Sequence, residues 1–544
     1  MKASLSVSKK PFTKKGEARD SYLTMHKDGQ SLIPTPNLDR LASQGLKLKN
    51  HYVHSSCTPS RASLMTGRYS FNVGLPCAMA PGSVAGLPDD VPTMPQKLRD
   101  AGYSAHMLGK WHVGHSQWKQ TPVGKGFESH VGSFMWNLES YSKLMWRDVA
   151  TTLAVDWGRY YENGTFEHFA DPRHATVALT EEAINLMKDH DNAKPLFLYI
   201  SYNAAHTPLQ ADSEWLQQCQ HVPHTWRRHY CGLMVGLDLA VSRLVNAAKG
   251  NIGDDTIFVV TSDNGGPTWF GGLNAPLRGT KLTPFEGGVR VPGFVLDFSG
   301  NYTWGKGEEL KHLVHISDWM PTFLSWAGTS GSYLEKLSLD GIDQSMALKN
   351  NVEVRSEIML ELFTEKESHD ESYSAAFRRG KYKLIEGHLR DPHWYKEPSR
   401  DFLDSSDLRW LNRIIEVGIK MMEAVFGSGP LDMISDIIVN FVVYHHSMIN
   451  EGFQARFFCR WQLKKTNLCT VLRIELRSVL FCKTYCLVLQ LLLFDVESDP
   501  EERINLAESQ PDIVREMKKE IERAKSTRPP HPKYEQHNFS HLLL

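Results

Sequence analysis

Between residues 35 and 325 the chain alternates short apolar runs with helix signals, and no other feature limits its fold as strongly. "TPNLDRLASQG" offers Thr35 as a helix N-cap, Pro36 at the first helical position and Gly45 just past the end. "TMPQKLRDAGY" signals a second helix, and "SAHML" after it a buried strand running into "GKWHVGH". "KPLFLYISYNAAHTP" and "DDTIFVVTSDNGG" are apolar strands that end in polar loops. Strands spaced by helices predict an α/β fold around a mostly parallel sheet. Ligands of such sheets gather at the carboxyl ends of the strands, where these polar loops lie.

A chain of 544 residues has room for more than one domain, and its character changes near residue 350. "SAAFRRGKYKLIEG" and "LLLFDVESDPEERINLAE" read as pieces of a smaller unit, strand then turn then helix. Residues 455–490 hold four of the eight cysteines, no Gly or Pro and no amphipathic period, which marks them as inserted sequence. A net charge of −1 gives no global pull toward nucleic acid or membrane, so any anion site must be local. The most apolar run, Cys486–Phe494, is too short to span a bilayer. The basic, polar opening carries no signal-peptide core, which reads as an intracellular chain; sequons at Asn163, Asn301 and Asn538 matter only if it is secreted. No CxxC supports a zinc ribbon. His51/His54 and His112/His115 have HxxH spacing without a third ligand, as chance allows among 24 histidines.

The densest chemical signal is "HSSCTPSRASLMTGRYSFNVGL", residues 54–75. Thr58 suits an N-cap, Pro59 the first helical position and Gly67 the terminus, so Cys57 is expected at a helix start, with Arg61 one turn on. Free N–H groups and the helix dipole favour negative charge there. A thiolate nucleophile fits that field, although the arginine is four residues after the cysteine and not six as in cysteine phosphatases. A structural cysteine is the bland alternative and leaves the surrounding cluster unexplained.

"CTPSRASLMTGR" resembles the sulfatase signature C-x-P-S-R-x-x-x-L-x-T-G-R, with the leucine displaced by one place. "GYSAHMLGKWHVG" resembles the second signature of that family. "PLRGTKLTPFEGGVRVPGFV", "TSDNGG", "HISDWMPTFLSWAG" and "LFDVESDPEERINLA" resemble its arylsulfatase B branch, which acts on N-acetylgalactosamine 4-sulfate. The resemblance implies an alkaline-phosphatase-like α/β domain with a large mixed or parallel sheet flanked by helices over residues 31–350. A smaller C-terminal domain with an antiparallel sheet follows over 351–544, interrupted by an insertion at about 385–490. It further implies hydrolysis of sulfate esters on sulfated sugars or aryl sulfates, and a lysosomal or secreted location.

Carried over by motif, Cys57 becomes formylglycine through a separate formylglycine-generating enzyme, and Arg61 anchors it. The hydrated aldehyde has two hydroxyls: one attacks sulfur, the other loses a proton to expel sulfate. Lys110 and Lys281 stabilise the sulfuryl oxygens, His112 assists the elimination, and His206 with Lys281 assists departure of the alcohol. Asp263, Asn264 and the Cys57 side chain match ligands of one calcium ion. Taken singly, each of these residues is as readily a core histidine, a solvated lysine or a turn; their order and number carry the reading. The chain also departs from the family. Residues 1–30 are polar and basic where the family has an apolar strand ending in two calcium-binding aspartates, and Asp89–Asp90 lie in the wrong loop to replace them. The expectation is an incomplete calcium site and an opened central sheet, either because that strand lies upstream in a fuller sequence or because the chain is a catalytically inactive isoform.

Overall fold

The computed structural model describes residues 33–528 except 137, 147–152, 169, 303, 305–306, 330, 364–372, 390–392 and 396–488. The expected N-terminal segment 1–30 and most of the expected insertion, including 455–488, lie outside the described residues.

The helices that frame the site are α1 (Pro36–Gln44), α2 (Cys57–Thr66), α3 (Met94–Asp100), α4 (Ala175–Asp189), α5 (Ser213–Gln217), α6 (Thr225–Asn251), α7 (Glu286–Val289) and α8 (Trp319–Trp326). Helix α1 starts as its sequence predicts, with Thr35 at the cap and Pro36 first. Its free N–H groups are met from a distance: Asp238 of α6 accepts from the backbone of Asn37 and Leu38 and from the Asn37 amide. Gly45 ends it with an extended φ of −111°, not a left-handed one. Close approach demands the glycine, since a Cβ would stand 2.2 Å from the Val295 carbonyl oxygen. Helix α3 carries a capping box between Thr93 and Gln96.

Helix α6 is long and apolar enough to cross a membrane, a property the sequence reading passed over, yet 56% of its most apolar stretch is buried within the fold. Its buried face, Leu244 and Ala248 included, joins Leu179 and Ala183 of α4 in one cluster, as a core helix does. A Cys219–Cys231 disulfide ties its first turns to the segment after α5.

Strands β1 (Leu46–Tyr52), β2 (Ser104–Gly109), β3 (Ser129–Gly132), β4 (Leu144–Trp146), β5 (Leu153–Val155), β6 (Gly158–Tyr161) and β7 (Phe166–Glu167) are followed by β8 (Leu196–Ser201), β9 (Ile257–Thr261), β10 (Gly293–Asp297) and β11 (Glu309–His315). Two mixed sheets result, ordered β11-β1-β10-β9 and β7-β6-β3-β2-β8, with β4 and β5 as a separate pair. Among the described residues parallel pairing is seen at β1–β11, β2–β3 and β2–β8. The mixed sheets flanked by helices are those the resemblance implies; the mostly parallel sheet read from the alternation alone is corrected, because half-buried apolar runs such as β8 and β9 look the same in parallel and antiparallel surroundings. Strands β8 and β9 are edges among the described residues. Leu196, Leu198 and Ile200 of one and Phe258 of the other pack half-buried against the cluster under α4.

A third, wholly antiparallel sheet runs β12 (Glu357–Phe363), β13 (Ser374–Arg379), β14 (Tyr382–His388) and β15 (Leu489–Asp495). Residues 385–388, placed in the expected insertion, belong to β14 and pair with β15. One face of this sheet meets Tyr52, Phe285 and Val289 of the larger unit through Ile358, Leu360, Ala376, Ile385 and Phe494. The other is covered by the C-terminal helix Pro511–Thr527 through Val514, Met517 and Ile521. A buried Arg355–Asp318 ion pair at 2.5 Å adds a polar tie between the two units.

Strand ends meet at glycines. Gly109 ends β2 with φ +94°, and a Cβ there would stand 2.0 Å from the Ser201 oxygen at the end of β8. Gly109→Ala should therefore separate the two strand ends and cost about 2–5 kcal/mol, read as a lowered denaturation midpoint. Burial holds His51 down to about 3 and His54 and His130 down to about 4. An unfolded chain binds those protons near pH 6.5, so the folded state binds fewer as pH falls from there toward 4. Stability should drop in that window by roughly 1.4 kcal/mol per pH unit for each such histidine. A thermal midpoint that stays level from pH 7 to 5 would contradict this.

Candidate functional site

Helix α2 begins two residues earlier than its sequence suggests: Ser56 holds the cap position and Cys57 is the first helical residue. The Thr58 hydroxyl is taken up elsewhere, donating to the His112 carbonyl at 2.9 Å and accepting from the Met79 N–H. Gly67 ends the helix in the left-handed conformation, as expected. Cys57 is thus buried, 2% exposed, in a first helical turn.

Arg61 projects from the next turn and joins three strand ends. Its Nη1 donates to the Lys110 carbonyl after β2 at 2.6 Å and to Ser201 Oγ at the end of β8 at 2.5 Å. Its Nε and Nη2 both donate to Asp263 Oδ2 beyond β9, at 2.9 and 2.7 Å. Burial works against the guanidinium charge, but Tyr199, Asp263 and Cys57 outweigh it and hold Arg61 protonated. Burial would likewise raise the Asp263 pKa, and the Arg61, Lys110 and Lys281 cations instead hold it well below the carboxylate range.

His112 faces Cys57 with Nδ1 3.1 Å from Sγ, while Nε2 lies 2.9 Å from the Met79 carbonyl. That carbonyl requires the proton on Nε2, so Nδ1 is an acceptor aimed at residue 57. The backbone of His112 is held at φ +62° by its N–H to the Phe134 carbonyl and its own carbonyl on Thr58. Burial pulls its pKa down against the Cys57 thiolate, which favours protonation. Burial also disfavours the Cys57 thiolate, yet Lys110, His112 and Lys281 prevail and hold the thiol well below its ordinary value. Lys110 is itself drawn down to about 8, chiefly by burial.

His206 stands opposite. Its Nδ1 lies 2.9 Å from the Thr207 carbonyl, and Lys281 Nζ donates to Nε2 at 3.2 Å. Burial, then the Lys281 and Lys110 cations, keep the ring neutral. The sequence-predicted Cys57, Arg61, Lys110, His112, His206, Asp263 and Lys281 therefore converge on one cluster. Sequence reasoning missed Ser201 and Tyr199, which support Arg61, and Trp136, whose ring centroid is 5.3 Å from that of His206. Only a register count along β8 could have found the first two, and Trp136 follows no motif.

The oxygen donors expected for calcium are fewer than the ion wants. Asp263 shares one oxygen with Arg61, whereas Asn264 turns its amide to the Gly265 carbonyl and leaves Oδ1 buried without a hydrogen-bond partner among the described residues. That orphaned oxygen suits a cation. No group of three or more His, Cys, Asp or Glu is placed to hold a metal among the described residues, and calcium takes six to eight oxygens. The described residues do not make up a calcium site. His51 and His54 spend their ring nitrogens on Trp319 and Thr261, and on Leu360 and Ser63, so they form no metal pair.

The family model described as Sulfatase matches residues 17–329, more than half of the chain. The chain belongs to the sulfatase family. It is 37% identical over 322 residues to arylsulfatase J of Mus musculus, covering 58% of this chain and 51% of that one. It is 31% identical over 317 residues to N-acetylgalactosamine-6-sulfatase of Homo sapiens, covering 55% and 58%. The chain thus spans between half and three fifths of the length of these curated relatives. The crystal structure of Ps i-CgsB shares the fold at a TM-score of 0.64 and 23% identity, covering 92% of this chain and 89% of that one. A second structure, of Ps i-CgsB in complex with k-i-k-neocarrahexaose, is 25% identical with a TM-score of 0.58, covering 78% and 94%.

Within this sulfatase site Arg61 is the joint. Arg61→Lys keeps one charge but cannot reach Lys110, Ser201 and Asp263 together. It should cost about 3–5 kcal/mol of stability, in denaturant unfolding at pH 7, because Asp263 is left partly uncompensated.

Proposed function

We propose that the chain hydrolyses sulfate esters. The carrying observation is the gathering of Lys110, Lys281 and the N-terminal turn of α2 around Cys57, a cationic recess on a nearly neutral chain. A tetrahedral dianionic leaving group fits that field better than a neutral one. Family membership and the sulfatase names of the relatives support the reading.

Formylglycine at Cys57 would supply a geminal diol, and so a nucleophile whose second hydroxyl can expel sulfate. The surroundings fit such a group: residue 57 is shielded from water, faces an acceptor nitrogen and lies among donors. The protein's own residues then divide the labour. His112 Nδ1 holds the position from which a proton leaving residue 57 is taken, and its Nε2 hydrogen bond to Met79 fixes the ring for that task. Lys110 and Lys281 neutralise charge on the sulfuryl oxygens. The Lys281–His206 pair holds one shared proton source for the departing alcohol, since the neutral imidazole and the ammonium already touch. Trp136 beside His206 provides an aromatic face on that side, suited to a sugar or aryl ring. Calcium would draw on Asp263 and Asn264 together with oxygen donors beyond the described residues, and no step here depends on it.

We further propose a sulfated carbohydrate as substrate, with N-acetylgalactosamine 4-sulfate the ester suggested by the arylsulfatase B resemblance. The formylglycine-generating enzyme would be a partner, and the location lysosomal or secreted. The Cys219–Cys231 disulfide supports an oxidising compartment.

The test is sulfate release by protein purified from a secretory host. Aryl sulfate and N-acetylgalactosamine 4- or 6-sulfate would serve as substrates. Hydrolysis is expected, reduced by at least about 10³-fold in Cys57→Ala and by roughly 10²–10⁴-fold in His206→Ala. Binding of the sulfated sugar without release would favour the inactive sulfatase-fold alternative, and unchanged turnover in Cys57→Ala would overturn the mechanism.

A further inference from the structure

The segment "DVESDPEERINL" plays no part in the chemistry above, yet its Glu502 reaches the larger unit at Glu286. Asp499 accepts the N–H groups of Arg503 and Ile504, and the Glu502 N–H returns to the Asp499 carbonyl. Glu502 is left at φ +54°, fully buried, pointing away from its own turn. Few side chains adopt that backbone, and a carboxylate is costly to bury, so the residue has a specific task there.

Its neighbours show which. Glu502 Oε2 accepts the N–H of Glu286, the first residue of α7, at 2.7 Å. Lys383 of β14 lies between the two carboxylates, 2.9 Å from Glu286 and 3.0 Å from Glu502 Oε1, the latter an ion-pair contact without a well-aligned hydrogen bond. Glu286 also accepts from Tyr52 and lies 3.5 Å from Arg290. Arg378 of β13 reaches Tyr52 in turn. The Glu502 carbonyl accepts from Arg278 at 3.3 Å, and that guanidinium is layered between Phe285 and Trp394, 4.1 and 4.3 Å from their centroids. Trp394 donates to the Glu501 carbonyl, and the Gly279 N–H donates to His393.

These contacts have one thing in common. Arg278, Gly279 and Glu286 bracket the loop that carries Lys281, and each is held by a residue of the C-terminal unit. The middle of the loop is tied on the other side, where the Leu282 N–H reaches the Ser55 carbonyl two residues before Cys57. We infer that Glu502 is a positioning residue: through Glu286, Lys383 and Arg278 it fixes the loop that sets Lys281 against His206 and the anion recess. The C-terminal unit is in this way part of the site without touching it.

Two readouts test this in the full chain. Amine acylation of Lys281, resolved by peptide mass spectrometry, reports the position of Lys281 whether or not the protein is an enzyme. Sulfate binding by calorimetry rests on the proposed function. Glu502→Ala should acylate at Lys281 at least threefold faster, with exposed Lys49 unchanged, and bind sulfate at least threefold more weakly. The second effect should vanish in a Lys281→Ala background, as coupling through one residue requires. Glu502→Gln, which keeps an acceptor for the Glu286 N–H, should recover at least half of both changes. Unchanged acylation of Lys281 in a folded Glu502→Ala protein would overturn the inference. So would an equal loss of sulfate affinity with and without Lys281. Should Glu502→Ala fail to fold, Trp394→Ala at the exposed end of the clamp is read by the same acylation criterion. A wild-type chain that binds no sulfate would count against the proposed function, while Lys281 acylation still decides the role of Glu502.

Discussion

The Arg61 guanidinium is the interaction on which the rest depends. It leaves the signature helix one turn past Cys57, bonds the ends of two strands in one sheet and takes the carboxylate that follows a strand at the edge, among the described residues, of the other. Planarity lets one side chain serve all three directions, which an ammonium cannot do. The residues with chemical roles are fixed relative to that plane: Lys110 by its own carbonyl, Asp263 by its shared oxygen and Cys57 by the helix both belong to. A buried charge of this kind stabilises little by itself, but removing either partner is expensive. That asymmetry holds the geometry in place.

Much of this was legible in the sequence, for identifiable reasons. Helix starts and stops follow local rules, so Thr35, Pro36 and Gly67 could be placed without knowing the fold. The site residues announced themselves as short motifs at strand ends, where an α/β topology puts ligands. What stayed hidden was whatever rests on distance through space. Thr58 reads as a cap until the His112 loop claims its hydroxyl. Gly45 reads as a left-handed terminus until Val295 passes beside it. The direction of strand pairing has no local signature in half-buried apolar runs, and Glu502 looks like one more acid in a polar turn.

Charge is handled differently in the two buried clusters. Near Cys57 the Arg61, Lys110 and Lys281 cations outnumber Asp263 and the Cys57 thiolate. In the Glu286–Lys383–Glu502 cluster the carboxylates are met by lysine, tyrosine and arginine of the fold itself, although burial still raises Glu502 to about 7. The first arrangement leaves a surplus of positive charge, the second fastens. Burial depresses the pKa values of both histidines of the recess.

The glycines at the strand ends carry an evolutionary meaning. Gly109 stands against Ser201, Gly132 against Gly109, and Gly265 against Gly287, each too near for a Cβ. At these points main chain lies directly against main chain, which leaves no side chain there to exchange. Side chains such as Trp136, beside His206, are not bound by that restriction. On the function proposed above, a lineage on this scaffold could change which molecule presents the ester while these backbone contacts stayed as they are.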